Sequence, residues 1–345
     1  MDTVLQTRAS IAQQLTALLT NAGFGPLDDA GWIRVTGSDR VRWLNGMMTN
    51  SIQGLGPGQG CYSFALNSQG RIQGIANVFA PADDPEALLI ETDRGDLAKL
   101  VAHLDHFIIM DDVELADLSA QRSGVLIAGA KAASVLEKLG LPAPEEPLSI
   151  VKAPWDESSV TVIRGYSPLV DRFEIWADAA TRERLQVAVA ANATPLEPQA
   201  LECLRVLEGT PRYGIDIRDN DKAHDLPQET AIAGTDSRAL HFAKGCYLGQ
   251  EIVERIRSRG NVHRAFSGFE LSGPLPPTGT PLEAEGKPAG ELTSTISIPM
   301  HGRTVHLGLG YVRREVLDRK LPLTYGGESA KPVALPYRVA PGSEI

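Results

Sequence analysis

From about Ala265 to the C-terminus the apolar residues change their spacing, and no other feature constrains the fold of this 345-residue chain so strongly. Upstream, helical stripes alternate with short apolar runs. Downstream, Phe266, Gly268, Phe269 and Leu271 open a series of short apolar runs divided by Gly and Pro. The series continues through Glu291–Ile298, Thr304–Val312 and Val333–Val339. Short runs with no helical stripe between them predict a small all-β unit, a barrel.

The upstream part reads as two successive α/β stretches. Leu5, Ile11, Leu15, Leu18 and Leu19 form a loose helical stripe that ends at Asn21-Ala22-Gly23. Trp32-Ile33-Arg34-Val35 is a short strand, after which Ser38 or Asp39 caps a helix through Val41, Trp43, Leu44 and Met47. Apolar runs at Tyr62–Leu66 and Ile72–Phe79 flank Asn67-Ser68-Gln69-Gly70 and predict a hairpin. Leu97, Leu100, Val101 and Leu104 have the spacing of one helix face, and a strand through Val113–Leu118 follows. The second stretch has strands at Val125–Gly129, Val160–Arg164 and Phe173–Trp176, with helices at Ala132–Leu139 and around Arg184, Leu185 and Val189. Another helix runs near Gln199–Glu208. The expected division is 1–120, 121–195, a segment 196–262, and the barrel 263–345.

Composition excludes several classes. Hydrophobic residues at 43% and charged residues at 22% are globular values, which argues against long disorder. A net charge of −10 argues against broad, charge-driven binding of nucleic acid or anionic membrane. Cys61, Cys203 and Cys246 are sparse, with no CxxC, which fits a reducing compartment rather than a disulfide framework. Met1–Gln6 has an early acid and no apolar run, and no window reaches the ~20 apolar residues of a membrane span. A soluble, cytoplasmic protein is expected.

Lys244-Gly245-Cys246-Tyr247-Leu248-Gly249-Gln250-Glu251 is the most unusual segment. At the start of a helix through Ile252, Val253 and Ile256, the Cys246 thiolate would gain from the helix dipole and from Lys244. A small residue buried in a tight turn is the other reading. Glu251, Glu254, Arg255, Arg257, Arg259, His263 and Arg264 then form a locally basic stretch. It suits a carboxylated or phosphorylated ligand, or equally a solvated helix face with internal Glu–Arg pairs. Cys203, between Leu201 and Leu204, reads as core, and Cys61 as structural. His103 and His106 are one turn apart without further ligands in metal spacing, so no metal site is expected. The chain lacks a Walker loop, a GxGxxG after a strand and a nucleophile elbow.

The segment 244–251, KGCYLGQE, resembles the signature of the YgfZ-type folate-binding proteins, bacterial relatives of the mitochondrial iron–sulfur assembly factors, within the aminomethyltransferase superfamily. Other stretches are similar to that family: Arg205–Pro211, Leu226–Glu229, the Arg255, Arg259-Gly260 and Arg264 series, Arg34–Asp39 with Trp43-Leu44 and Thr49-Asn50, Gly290–Ser294 and Leu307–Gly310. The likeness spans most of residues 30–315. It implies an α+β fold, a three-domain ring of the aminomethyltransferase (T-protein) type, with two α/β domains, a C-terminal barrel and residues 196–262 packed back on a folate channel. Two positions depart from the pattern. The family's helix-end glutamate falls on Leu207, with Glu208 one residue later and so turned by about 100°. Ser51 stands where the family has an aspartate.

The resemblance implies tetrahydrofolate, or a one-carbon derivative of it, as cofactor. It also implies a role in assembly or repair of iron–sulfur clusters in client enzymes, including radical enzymes that modify tRNA. Cys246 and Lys244 would be the reactive pair, and Glu208, Tyr213, Gln250, Glu251, Arg255, Arg259 and Arg264 would meet the folate. The expected partners are folate and the client enzymes, with no direct nucleic acid, no membrane and a monomeric chain. A folate-dependent aminomethyltransferase or demethylase is the alternative. Its expected acid after the hairpin is missing, because Gly70-Arg71-Ile72-Gln73-Gly74-Ile75 holds no carboxylate.

Overall fold

The computed structural model describes residues 9–220, 223–230, 238–259, 262–300 and 303–338. Its first helix, α1 (Ile11–Thr20), begins at a capping box in which Ser10 Oγ accepts from Gln13 N and Gln13 Oε1 accepts from Ser10 N. The next helices are α2 (Arg40–Met47), α3 (Leu97–Asp105), α4 (Ala132–Lys138), α5 (Ala179–Ala190), α6 (Pro198–Glu208) and α7 (Gln250–Arg259). Leu5 of the expected first helix lies outside the described residues.

The first sheet is antiparallel, in the spatial order Gln59–Leu66, Ile72–Ala80, Leu88–Asp93, Ala30–Thr36, Glu114–Asp117. Its one face is covered by α2 and α3 through Trp43, Leu44, Met47, Leu97, Leu100 and Leu104. The second sheet runs Thr194–Pro195, Gly23–Pro26, Ser123–Ala128, Arg172–Ala177, Ser158–Arg164, Ile150–Trp155, and α4 and α5 cover it. The uncovered faces of both sheets meet in one apolar cluster, where Trp32 and Trp176 pack edge to face at 5.1 Å. Two layered α/β units back to back therefore leave a seam between sheets.

The barrel is closed, in the order Arg264–Leu271, Arg303–Arg313, Lys287–Met300, Pro281–Ala284, Thr324–Tyr325, Glu328–Val333. Phe269, Leu282, Leu292 and Tyr325 help fill it. Leu15 and Leu18 of α1, with Cys203, Leu204 and Leu207 of α6, pack against Phe266, Ile296, Leu307 and Tyr311 of the barrel. This is the fold class that the resemblance implied. Among the described residues no helix is long and apolar enough to cross a membrane.

Several local expectations change. Asp39 occupies the N-cap position of α2 but makes no side-chain capping bond, because Asp112 competes: Ser38 Oγ donates to Asp112 Oδ2, and Asp39 Oδ2 accepts from Asp112 N. The strands Gly23–Pro26, Leu88–Asp93 and Ile150–Trp155 were not expected. Gly23-Phe24-Gly25-Pro26 has poor strand propensity, and pairing with Ser123–Ala128 holds it extended. It belongs to the second sheet, so the sheets do not follow the linear division at residue 120. The last strand stops at Val333 rather than continuing toward Val339, which lies outside the described residues. Instead, Tyr337 N donates to Leu207 O at the end of α6.

Candidate functional site

The KGCYLGQE segment is a loop leading into α7, and its shape comes from contacts to the first domain. Lys244 Nζ donates at 2.6 Å to each of three carbonyl oxygens, those of Asn45, Met48 and Asn50, around the C-terminal end of α2. A cation there complements the helix dipole and satisfies carbonyls left open by the helix end. Burial pulls the Lys244 pKa down to about 8, and the nearby Cys61 opposes that shift. Leu248 N donates to Gly46 O. Gly249 has φ +81°, and a Cβ there would lie 2.6 Å from Asn67 O, in the turn of the hairpin. Gln250 Oε1 accepts from Tyr247 N, and Tyr247 is buried with Tyr213 and Val253.

Cys246 is exposed on this loop, four residues before α7 begins. The expected arrangement, a thiolate at the helix start with the Lys244 ammonium beside it, is not what the loop builds. Lys244 spends its donors on backbone carbonyls and feels Cys61 instead. Cys61 is half-buried, and burial pushes its thiol up to about 12. Cys203 is core, with its thiol pushed up to about 11 by burial. Cys246 is the exposed thiol of the three. His103 faces Leu66 O at 3.1 Å, and burial lowers its pKa.

A cavity of about 480 Å³ opens beside the inter-sheet seam and is walled by both α/β units and by α6. Glu208 faces it at the end of α6, while Leu207 turns into the core packed on the barrel. The one-residue offset thus puts the carboxyl on the cavity side and the leucine on the barrel side. Ser167 Oγ donates to Glu208 Oε1, and burial raises the Glu208 pKa. An acidic pair joins the two sheets: Glu91 from Leu88–Asp93 and Glu174 from Arg172–Ala177, both buried. Burial, then the charge and hydrogen bond of Glu174, hold the Glu91 pKa well above the carboxylate range. Asn77 Nδ2 donates to Glu91 Oε2, and Arg172 and Trp176 Nε1 donate to Glu174. Tyr62, Tyr166 and Arg238 complete the aromatic and cationic part of the wall.

Comparison with known proteins fits this architecture. The family model for the GCVT N-terminal domain matches residues 5–234, and that for the CAF17 C-terminal beta-barrel domain matches residues 264–336. This chain belongs to the GCVT family. Its barrel is of the CAF17 kind, which places it with the YgfZ/CAF17 branch. An aminomethyltransferase of Koribacter versatilis is 28% identical over 337 residues, covering 92% of this chain and 85% of that one. The tRNA-modifying protein YgfZ of Yersinia enterocolitica is 27% identical over 243 residues, covering 70% and 68%. The crystal structure of the glycine cleavage system aminomethyltransferase T from Bartonella henselae superposes with a TM-score of 0.81 at 20% identity, covering 95% and 90%, and shows the shared fold.

Of the residues that the resemblance assigned to folate, Glu208 is the one that, among the described residues, this GCVT-family chain brings to the cavity wall. Tyr213 packs in an apolar cluster with its hydroxyl accepting from Lys99 Nζ. Gln250 shapes the loop, and Glu251 and Arg255 are exposed on α7. Arg264 is tied to Asp225 and Glu229 by ion pairs of 2.8 and 2.7 Å. The Arg259 side chain lies outside the described residues. The cavity residues missed by sequence reasoning left one usable signal: Glu174 stands between Phe173 and Ile175 in an apolar strand run, where a lone acid is unusual. Tyr62, Tyr166 and Arg238 left none.

Proposed function

We propose that this protein binds a tetrahydrofolate in the inter-sheet cavity and serves the assembly or repair of iron–sulfur clusters in client enzymes through the Cys246 thiol. The observation that carries the folate part is the Glu208 carboxyl, buried on the cavity wall despite its shift from the family register. The cavity fits such a ligand in size. Tyr62 and Tyr166 offer ring faces, while Glu208 and Glu174 offer oxygens to the amino-pyrimidinone edge of a pterin. When bound, a tetrahydrofolate supplies a carrier for one-carbon units. The relative named YgfZ is a tRNA-modifying protein. With a net charge of −10, an effect of this chain on tRNA is best carried through a client enzyme rather than by direct contact. Cytoplasmic work on clients by a monomer completes the proposal.

A soft, exposed thiol can engage iron or a damaged client thiol transiently, and a single one handles a cluster rather than storing it. Calorimetric titration of tetrahydrofolate into wild type, Glu208→Gln and Cys246→Ala tests the ligand. Binding is expected in wild type and Cys246→Ala, and is weakened about 10-fold or more in Glu208→Gln. Absence of binding to wild type rejects the folate part. A Cys246→Ser variant that fully supports client iron–sulfur enzymes in cells rejects the cysteine part.

One observation favours a second reading, folate-dependent methylene transfer. The hairpin has no acid, but Glu91 places in the cavity, from another strand, a carboxyl whose pKa burial and then Glu174 raise well above the ordinary range. Methylene transfer from a lipoyl carrier protein, lost in Glu91→Gln, would establish it.

A further inference from the structure

We infer that Arg238 is the anchoring cation of the cavity, the residue that takes a carboxylate of the bound molecule. The inference rests on the folate reading and replaces the α7 arginines as the partners of an anionic tail. The backbone of Arg238 is fixed from the first domain: Asn50 Nδ2 donates to Arg238 O at 3.0 Å, and Thr49 Oγ1 to Ala239 O at 2.7 Å. From that stem the guanidinium lies over the Tyr166 ring, 3.4 Å from its centroid, and 4.6 Å from that of Tyr62. A guanidinium stacked face-on keeps its N–H donors in its own plane, the geometry of a bidentate carboxylate contact.

Charge decides which arginine is open to a ligand. Arg172 is spent on Glu174, and Arg205 on Glu202 and Asp216. Among the described residues no carboxylate ion-pairs with Arg238 within 4.0 Å, and Glu208 acts on it only at longer range. Arg212 also lines the wall, and among the described residues it has neither an ion pair nor an aromatic shelf to orient it. Around these cations stand Glu174 and Glu202, so an anionic group placed elsewhere in the cavity meets like charge. Arg255 is exposed on α7, Arg257 pairs with Glu254 and stacks on Phe242, and Arg264 is enclosed by Asp225 and Glu229.

The test compares tetrahydrofolate, which carries a glutamate, with 6-methyltetrahydropterin, which carries none, on wild type, Arg238→Met and Arg238→Lys, with thermal unfolding to verify folding. Arg238→Met is expected to weaken tetrahydrofolate binding about 10- to 100-fold and leave 6-methyltetrahydropterin binding unchanged. Arg238→Lys recovers part of the loss, because the charge remains and the fork does not. Unchanged tetrahydrofolate affinity in a folded Arg238→Met, or an equal loss for both ligands, overturns the inference while the folate reading stands. If wild type binds neither ligand, the folate reading fails and this inference fails with it.

Discussion

Lys244 Nζ donates to the carbonyl of Asn45, 199 residues earlier, at 2.6 Å, and adds two more bonds of the same length to Met48 O and Asn50 O. The lysine of the signature thus fastens the cysteine loop to the first domain. Lys244→Met leaves three carbonyls without their donor and removes a cation from a helix C-terminus. A loss of about 2–4 kcal/mol of stability is expected, read as a lower urea midpoint. A variant as stable as wild type would show the clasp to be dispensable.

Cys246 differs from the other two cysteines in exposure, and that predicts a labelling pattern. Cys61 is half-buried and Cys203 buried, and burial raises both thiols, to about 12 and about 11. One thiol of the three should react quickly with a disulfide reagent in the native protein, and the other two only on unfolding. Cys246→Ser should abolish the fast phase without moving the unfolding temperature. A fast phase that survives the substitution would assign the accessible thiol elsewhere.

The two glycines of the signature make opposite predictions. Gly249 has φ +81°, and its Cβ would come within 2.6 Å of Asn67 O, so Gly249→Ala combines backbone strain with a clash against the hairpin turn. The strain alone costs about 1–3 kcal/mol. Gly245 has no atom within 4 Å of a built Cβ and no positive φ. Gly245→Ala should therefore be close to neutral in the same denaturation experiment. Equal effects at both positions would contradict this account of the loop.

The fold was legible where a period or a motif ran long enough to record one packing face. Leu97, Leu100, Val101 and Leu104 wrote α3 into the sequence, and the Gly/Pro-divided runs after residue 265 wrote the barrel. Gly23–Pro26 was not legible, because neighbouring strands hold it extended against its own propensity. The site was legible only in part for a related reason. The signature marks a loop whose Lys244 and Gly249 serve its shape. The cavity, by contrast, is assembled from single residues on separate elements: Tyr62, Glu91, Tyr166, Glu174 and Arg238. Glu208 needed the structure as well, since only the packing of Leu207 on the barrel shows which side of α6 faces the cavity.

The Glu91–Glu174 pair gives stability a pH dependence of definite sign. Burial, then the neighbouring Glu174, raises the Glu91 pKa well above its ordinary 4.5, and Asn77 and Arg172 only partly offset this. The folded protein keeps a proton that the unfolded chain releases near that value. Above it the folded state binds more protons, so stability falls as pH rises, until Glu91 ionises in the folded protein as well. Glu208, raised chiefly by burial, contributes with the same sign. Asp225 acts oppositely: burial works to raise it, but hydrogen bonds from Arg218 and Arg264 hold it below 3.8, so its contribution is lost as pH falls. Over the range in which Glu91 keeps its proton, the unfolding temperature should therefore decline as pH rises above 4.5, against an opposite contribution from His103, whose pKa burial lowers from 6.5. Glu91→Gln keeps an oxygen for the Asn77 donor and an N–H for Glu174, but has no charge to bury. Its decline should be shallower and its unfolding temperature higher than that of wild type at pH 8. Parallel pH profiles for the two proteins would mean that Glu91 does not hold the extra proton.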